Sequence, residues 1–259
     1  MNSAKTIKSQ KKNYDTYIMY LTPHKDNASK ANACPNASAG CIAACLFNSG
    51  NARFNKVQAG RYNKSNYLIE AKDEFLAQLD EEIGKLVKKY SKLSNKLCIR
   101  LNGTSDWNWE NKVERVEIIN GKLVTIPSFV VRDGKNIFEL YPEVQFYDYT
   151  KSANRIGNTP ANYHLTFSRS ESNDQLVGEV LSKGGNVAAV FTELPETYLG
   201  YPVVDGDVDD LRFLDGENVV VGLSHKRAAT KGGGKRNDIA ISSGFVIETE
   251  NLREGQEAA

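Results

Sequence analysis

The sequence predicts an α/β protein: a TIM-like parallel β/α barrel, whole or partial, with a β-hairpin inserted near residues 113–131. Three observations lead to this class. Short, unbroken apolar runs such as LCIRL, VQFYDY and VVVGL recur along the chain, each followed by polar residues, as parallel strands buried on both faces do. One long segment shows the spacing of an amphipathic helix of the kind that covers such a sheet. The length, 259 residues, suits one barrel domain, and 40% hydrophobic with 25% charged residues is an ordinary globular composition. A chain of this size buries roughly three quarters of its unfolded surface and needs no disulfide to fold.

Taken in order, residues 1–13 are polar and rich in lysine and read as a flexible leader before a single domain over 14–248. The alternation of Tyr14, Thr16, Ile18 and Tyr20 marks a first strand. A loop rich in Asn, Ala, Ser and Gly follows, and small residues let backbone wrap closely around a bound object. From Lys64 to Leu93, the residues Leu68, Phe75, Leu79, Ile83, Leu86 and Tyr90 line one helical face, and Lys85, Lys88 and Lys89 gather where the helix dipole favours cations. The predicted strands after it are LCIRL, VQFYDY, YHLTF, VAAVF, PVV, VVVGL and part of GFVIE. Asn120-Gly121 between two alternating runs signals a hairpin turn. Residues 249–259 carry little apolar weight and read as a flexible tail.

Lys and Arg total 33 against 32 for Asp and Glu, so no global positive field draws the chain to nucleic acid. No apolar run is long enough for a membrane helix, and the basic start lacks the apolar stretch of a secretion signal, which places the protein in the cytoplasm.

Three of the four cysteines fall within one short stretch, Cys34-x6-Cys41-x3-Cys45. A local cluster in a reduced compartment points to a metal or cofactor rather than to a disulfide framework. Three thiolates suit a 4Fe-4S cluster with one iron left open, or zinc with a fourth ligand such as Cys98 or His24. Structural zinc is usually held by two close pairs, and only one is present, which favours the iron–sulfur centre; three unliganded cysteines at an Ala-rich helix start remain the bland alternative. Ligands of α/β folds lie beyond the carboxyl ends of the strands, so the residues following each apolar run are the site candidates. His225, Asp106, Asp148 and Lys151 are the candidate catalytic groups. Arg100, Asn102, Ser168, Arg169, Asp205, Asp207, Arg212 and Lys226 are the candidate substrate-binding groups. The stretch HKRAATKGGGKR, residues 225–236, suits a phosphate or a nucleic-acid backbone, or is a solvated loop.

A strand, a three-cysteine loop and a series of β/α units resembles the radical S-adenosylmethionine enzymes. That resemblance implies a 4Fe-4S cluster on the loop after the first strand, with S-adenosylmethionine on its open iron. The cysteine spacing here, six and three, differs from the three and two of that superfamily. The blocks CPNASAGCIAACLFNSGNARF, RLNGTSDWNWE, VQFYDYTK, NYHLTFSRSESN and VVDGDVDDLRFLD resemble a family of bacteriophage proteins over residues 14–248. This resemblance implies the cytoplasm of an infected bacterial cell as the setting and adds no functional positions. Three readings stay open: an enzyme modifying a nucleotide, nucleic acid or other small molecule; a non-catalytic, metal-stabilised protein that binds a ligand or a host component; and a nucleic-acid-associated protein using residues 225–236, which the near-neutral net charge disfavours.

Overall fold

The computed structural model describes residues 4–227 and 233–252. It is a mixed α/β structure in which parallel strand pairing predominates. The elements in chain order are α1 (Ala4–Gln10), β1 (Tyr14–Ile18), α2 (Ala39–Ala43), α3 (Asn55–Glu70), α4 (Lys72–Tyr90), β2 (Lys96–Arg100), β3 (Arg115–Ile119), β4 (Lys122–Ile126) and α5 (Ile137–Leu140). They continue with β5 (Gln145–Thr150), β6 (Tyr163–Ser168), α6 (Val177–Ser182), β7 (Val187–Phe191), β8 (Thr197–Tyr198), β9 (Tyr201–Asp205), β10 (Val220–Ser224), α7 (Gly233–Ser242) and β11 (Val246–Ile247). Where one domain was expected, the contacts resolve two compact units interleaved along the chain. The first comprises Met1–Asn36, Phe54–Asp148 and Asn158–Leu165, the second Ala37–Arg53, Tyr149–Gly157 and Thr166–Ala259.

In the first unit, β2 lies between β1 and β5 with parallel pairing on both sides, Thr16 opposite Cys98 and Cys98 opposite Gln145. Four consecutive residues of β2, Leu97 to Arg100, are buried, as the unbroken apolar run predicts for a strand covered on both faces. The segment read as a leader contains α1, with Thr6 and Ser9 buried. Burial by itself raises the pKa of Asp15, but hydrogen bonds from Tyr90, Gln10 and Asn95 outweigh it and hold the carboxyl below its usual range. The helix expected over Lys64 to Leu93 is two helices broken at Ala71, whose backbone (φ −138°, ψ 60°) leaves the helical region. The apolar residues of α3 form no stripe, so periodicity shows only where α4 begins. Asp73 and Glu74 in the first turn of α4 are the start signal that marks the break.

The predicted hairpin is present. β3 and β4 pair antiparallel from Arg115 opposite Ile126 to Ile119 opposite Lys122, and Asn120 and Gly121 both take positive φ, 52° and 71°, which a two-residue primed turn requires. Asn111 ties its base, its Nδ2 donating to Pro127 O at 2.7 Å and Val113 O at 2.9 Å.

The second unit is built on β7. β10 pairs with it along its whole length, from Val220 opposite Val187 to Ser224 opposite Phe191, and β9 pairs parallel to β10. The other edge of β7 is shared: β6 covers Val187 and Ala188, and β11 takes over at Val190 and Phe191. The core gathers Phe167, Val177, Leu181, Val187, Phe191, Tyr198 and Val220. The return from β9 to β10 carries a 3-10 turn, Arg212–Leu214, in place of an α-helix. β8, only two residues long and antiparallel to β9, is too short to leave a periodic signal.

Candidate functional site

In the first unit the residues after β2 form a closed hydrogen-bond knot. Asn102 Oδ1 accepts from Ser105 Oγ at 2.9 Å, Trp107 N at 3.0 Å and Trp109 Nε1 at 3.1 Å, while its Nδ2 donates to Trp107 O at 2.9 Å. Asp148, fully buried on β5, accepts from the backbone N–H groups of Leu101 and Asn102, each at 3.1 Å, and from Tyr163 Oη at 3.3 Å. Arg100 Nε stands 3.5 Å from the same carboxylate, and its guanidinium lies 5.5 Å from the centre of the Tyr147 ring. Asp106 is buried in the turn, its N–H donating to Ala33 O at 2.8 Å. Arg100, Asn102 and Asp148 therefore meet at the end of β2, and in the turn that follows the thiol of Cys34 donates to Thr104 O at 3.8 Å.

In the second unit Lys151 Nζ donates to Ser168 Oγ at 3.0 Å and sits 5.3 Å from the centre of the Phe245 ring. Arg169 pairs with Asp174 at 2.7 Å and donates to the carbonyls of Gly244 and Phe245, which ties the end of β6 to the turn before β11. Glu171 reaches the cysteine segment: one oxygen accepts from Gly40 N at 2.8 Å and the other from Ser38 Oγ at 2.7 Å, and Ser38 Oγ in turn accepts from Cys41 N at 3.2 Å. Cys41 and Ala44 pack against a cluster of Ala43, Ala240, Phe245 and Val246. Gly40 is there because a Cβ would stand 2.3 Å from Ser243 Oγ and 2.4 Å from Phe245 Cβ.

The remaining candidates are in the second unit at the ends of β9 and β10. Asp205 accepts from Asp207 N at 2.8 Å, and Asp207 accepts from Ser224 N and from Lys226 Nζ, both at 3.0 Å. Arg212, 2% exposed, is held by Asp209 at 3.3 Å and Asp215 at 3.2 Å, so a guanidinium already takes the position a cation would want in this acidic stretch. His225 donates its N–H to Phe191 O at 3.1 Å, and burial, helped by the charge of Arg227, lowers its imidazole pKa, which favours the neutral form. Residues 228–232 of the basic stretch lie outside the described residues.

Cys34, Cys41 and Cys45 form no disulfide and are partly exposed, whereas Cys98 is buried, and burial pushes its thiol up to about 12. A metal needs the thiolate, so burial speaks against Cys98 as a ligand. Among the described residues no three His, Cys, Asp or Glu side chains are grouped to hold a metal ion. In the metal-free native protein a thiol reagent is expected to titrate three cysteines and to reach the fourth only after unfolding; four native equivalents would contradict the burial of Cys98.

Sequence reading passed over two features. Glu171 was one polar strand-end residue among many, and its role as the anchor of the Ser38–Cys41 turn arises from a contact across 131 residues of chain that no local pattern encodes. The first unit also holds a cleft of about 580 Å³ whose lining includes Asp15, Tyr17, Lys64, Tyr67, Glu82 and Tyr90.

No helix among the described residues is long and apolar enough to cross a membrane. Neither a curated protein nor a solved structure matches the chain. The family model described as Gene product 88 matches residues 1–248, nearly the full length, and the chain therefore belongs to the Gene product 88 family.

Proposed function

We propose that the chain is a phage-encoded iron–sulfur protein in which Cys34, Cys41 and Cys45 hold a 4Fe-4S cluster, on strands that curve as in the partial barrels of radical S-adenosylmethionine enzymes. The observation that carries the reading is where each end of the cysteine stretch is anchored. In the first unit Cys34 is bound to the residues after β2, and in the second the Ser38–Cys41 turn is bound to Glu171 after β6. In each unit, therefore, part of the cysteine stretch is anchored by residues that follow a parallel strand, the region where α/β folds place their ligands.

The donor set fits in kind: three partly exposed thiols outside any disulfide are the number that a cluster with one open iron uses. Among the described residues no three such side chains are grouped, and metal binding supplies free energy of the size needed to gather such a loop. When bound, the cluster would supply an open iron for S-adenosylmethionine. The protein's own contribution is the polar rim: Lys151 and Ser168 offer a cation and a hydroxyl, and Asp207 and Lys226 offer a second charged pair. We take the substrate to be a nucleotide, nucleic acid or other small molecule.

A second reading, a metal-stabilised protein with zinc that binds a ligand or a host component without catalysis, is favoured by one observation. Within the first unit Arg100, Asn102 and Asp148, and within the second Arg169 and Arg212, are engaged by protein partners, as scaffold residues are.

Anaerobic purification with iron, sulfide and zinc analysis separates the two. A brown protein with about four irons and four sulfides is expected, lost on Cys34→Ala, Cys41→Ala or Cys45→Ala and retained on Cys98→Ala. Stoichiometric zinc transfers the case to the second reading, and a metal-free protein overturns both. With iron present, release of 5′-deoxyadenosine from S-adenosylmethionine under reduction tests the radical chemistry.

A further inference from the structure

Strand β1 stands at the edge of its sheet with one side open. Among the described residues it pairs with β2 alone, in unbroken parallel register from Tyr14 opposite Lys96 to Ile18 opposite Arg100. The backbone groups of successive strand residues point alternately to the two edges. Asn13 O accepts from Lys96 N at 2.8 Å, Met19 N donates to Arg100 O at 2.8 Å and Met19 O accepts from Gly103 N at 3.0 Å, so the odd-numbered residues face β2. The N–H and C=O groups of Thr16 and Ile18 therefore point away from β2, and among the described residues no hydrogen bond reaches them. Sheet edges are ordinarily blunted by proline, lysine or a bulge, and the run YDTYI has none of these.

The cleft of about 580 Å³ runs along this open edge. Its lining takes in the consecutive residues Asp15 to Met19, as happens where a strand is met at its edge, since alternate side chains point to opposite faces. The far wall is α4, where Leu79, Ile83 and Leu86 fall on one helical face. We propose that an extended segment of a partner polypeptide docks here as an added strand, pairing with Thr16 and Ile18 at a spacing of about 4.8 Å and turning alternate side chains towards α4. The open backbone row selects this occupant, because donors and acceptors repeating every second residue match another main chain and neither a lipid nor a nucleic acid. The charges refine it. Asp15 accepts from Tyr90 Oη at 2.9 Å and Asn95 Nδ2 at 3.2 Å, and Glu82 accepts from Gln78 Nε2 at 2.8 Å, so both carboxylates of the cleft are engaged. Lys89 acts on Asp15 and Glu82 on Lys64 through charge, but neither closes an ion pair: Lys89 Nζ meets the Tyr17 hydroxyl at 3.5 Å, and Lys64 is desolvated beside Arg61. The donors left over are ammonium groups. Glu82, which acts on Lys64, and Lys89 are seven residues apart on α4, about 10 Å along the helix and so about three to four residues of extended chain. The segment that fits presents an acidic, an apolar and an acidic side chain to α4 from alternate positions.

Fluorescence anisotropy of the full chain with labelled, end-capped TETxTET peptides, x being Val, Leu, Phe or Tyr, tests this independently of the cysteines. At least one should bind with Kd below about 1 mM. The charge-reversed TKTxTKT form should bind about ten-fold or more weakly, Lys64→Glu with Lys89→Glu should weaken TETxTET to a similar extent, and that double variant should recover the reversed peptide. N-methylation of one alternate set of peptide amides should abolish binding while the other set is tolerated, and hydrogen exchange at the Thr16 and Ile18 amides should slow when peptide is added. No binding by any of the TETxTET peptides up to about 1 mM overturns the proposal. So does binding indifferent to which amides are methylated, which is capture by side chains alone. Exchange at these amides that slows with protein concentration, with no peptide present, assigns the edge to a second copy of the chain and overturns it as well.

Discussion

Asp148→Ala is expected to destabilise the protein by about 3–5 kcal/mol, the cost of removing one partner from a buried ion pair. The carboxylate is fully buried and compensates Arg100, itself 8% exposed, at 3.5 Å. It also accepts the N–H groups of Leu101 and Asn102, which turn the chain out of β2. Its loss leaves a buried guanidinium short of its counter-charge and two backbone donors without an acceptor, and each orphaned donor costs about 1–3 kcal/mol where water cannot reach it. Thermal unfolding should fall by roughly 6–20 °C for a chain of this size. Asp148→Asn should recover little, because its amide can accept one N–H but turns a donor towards the other. Equilibrium denaturation showing a loss below about 1 kcal/mol for the alanine variant would mean that water reaches the site.

Gly40→Ala should be the next most damaging change, and its effect should reach Cys41. The added methyl would lie 2.3 Å from Ser243 Oγ, 2.4 Å from Phe245 Cβ and 2.9 Å from Glu171 Oε1. A serine hydroxyl can rotate away, but Phe245 Cβ moves only with its backbone, so α2 must lift from α7 and break the Glu171 hydrogen bonds. Overpacking of this kind costs about 1–3 kcal/mol. The specific readout is Cys41: alkylation in the metal-free protein should speed up as its cover opens, and bound metal should fall. Pairing Gly40→Ala with Ser243→Gly removes one of the two closest contacts and should restore part of the stability. Unchanged Cys41 reactivity in the single variant would show that α2 is not held from this side.

These two sites differ in how well they could be read beforehand. Asp148 was visible because it closes an apolar run, VQFYDY, at the position where parallel strands present their ligands. What the run could not show is that the carboxylate turns back to cap Leu101 and Asn102 rather than facing outward. Arg169 follows β6 and Arg212 opens the 3-10 turn between β9 and β10, and each is tied to a turn or an acidic loop by partners the local sequence does not select. Helix α1 went unread because seven residues with buried Thr6 and Ser9 offer no apolar stripe. The hairpin was the best-read element, since Asn120-Gly121 specifies a turn by backbone sterics alone.

By itself, the sequence determined whatever depends on local chemistry: the strands other than β8, the hairpin and its register, the helix that α4 forms, and the clustering of Cys34, Cys41 and Cys45 along the chain. Tertiary structure alone decided the sharing of one edge of β7 between β6 and β11, the anchoring of Gly40 by Glu171, and the outward turn of Ile118 and Leu123. The division follows from range. Backbone sterics and side-chain periodicity act over a few residues, whereas a hydrogen bond or a packed face joins residues a hundred positions apart, and its partner is chosen only when the chain has closed on itself.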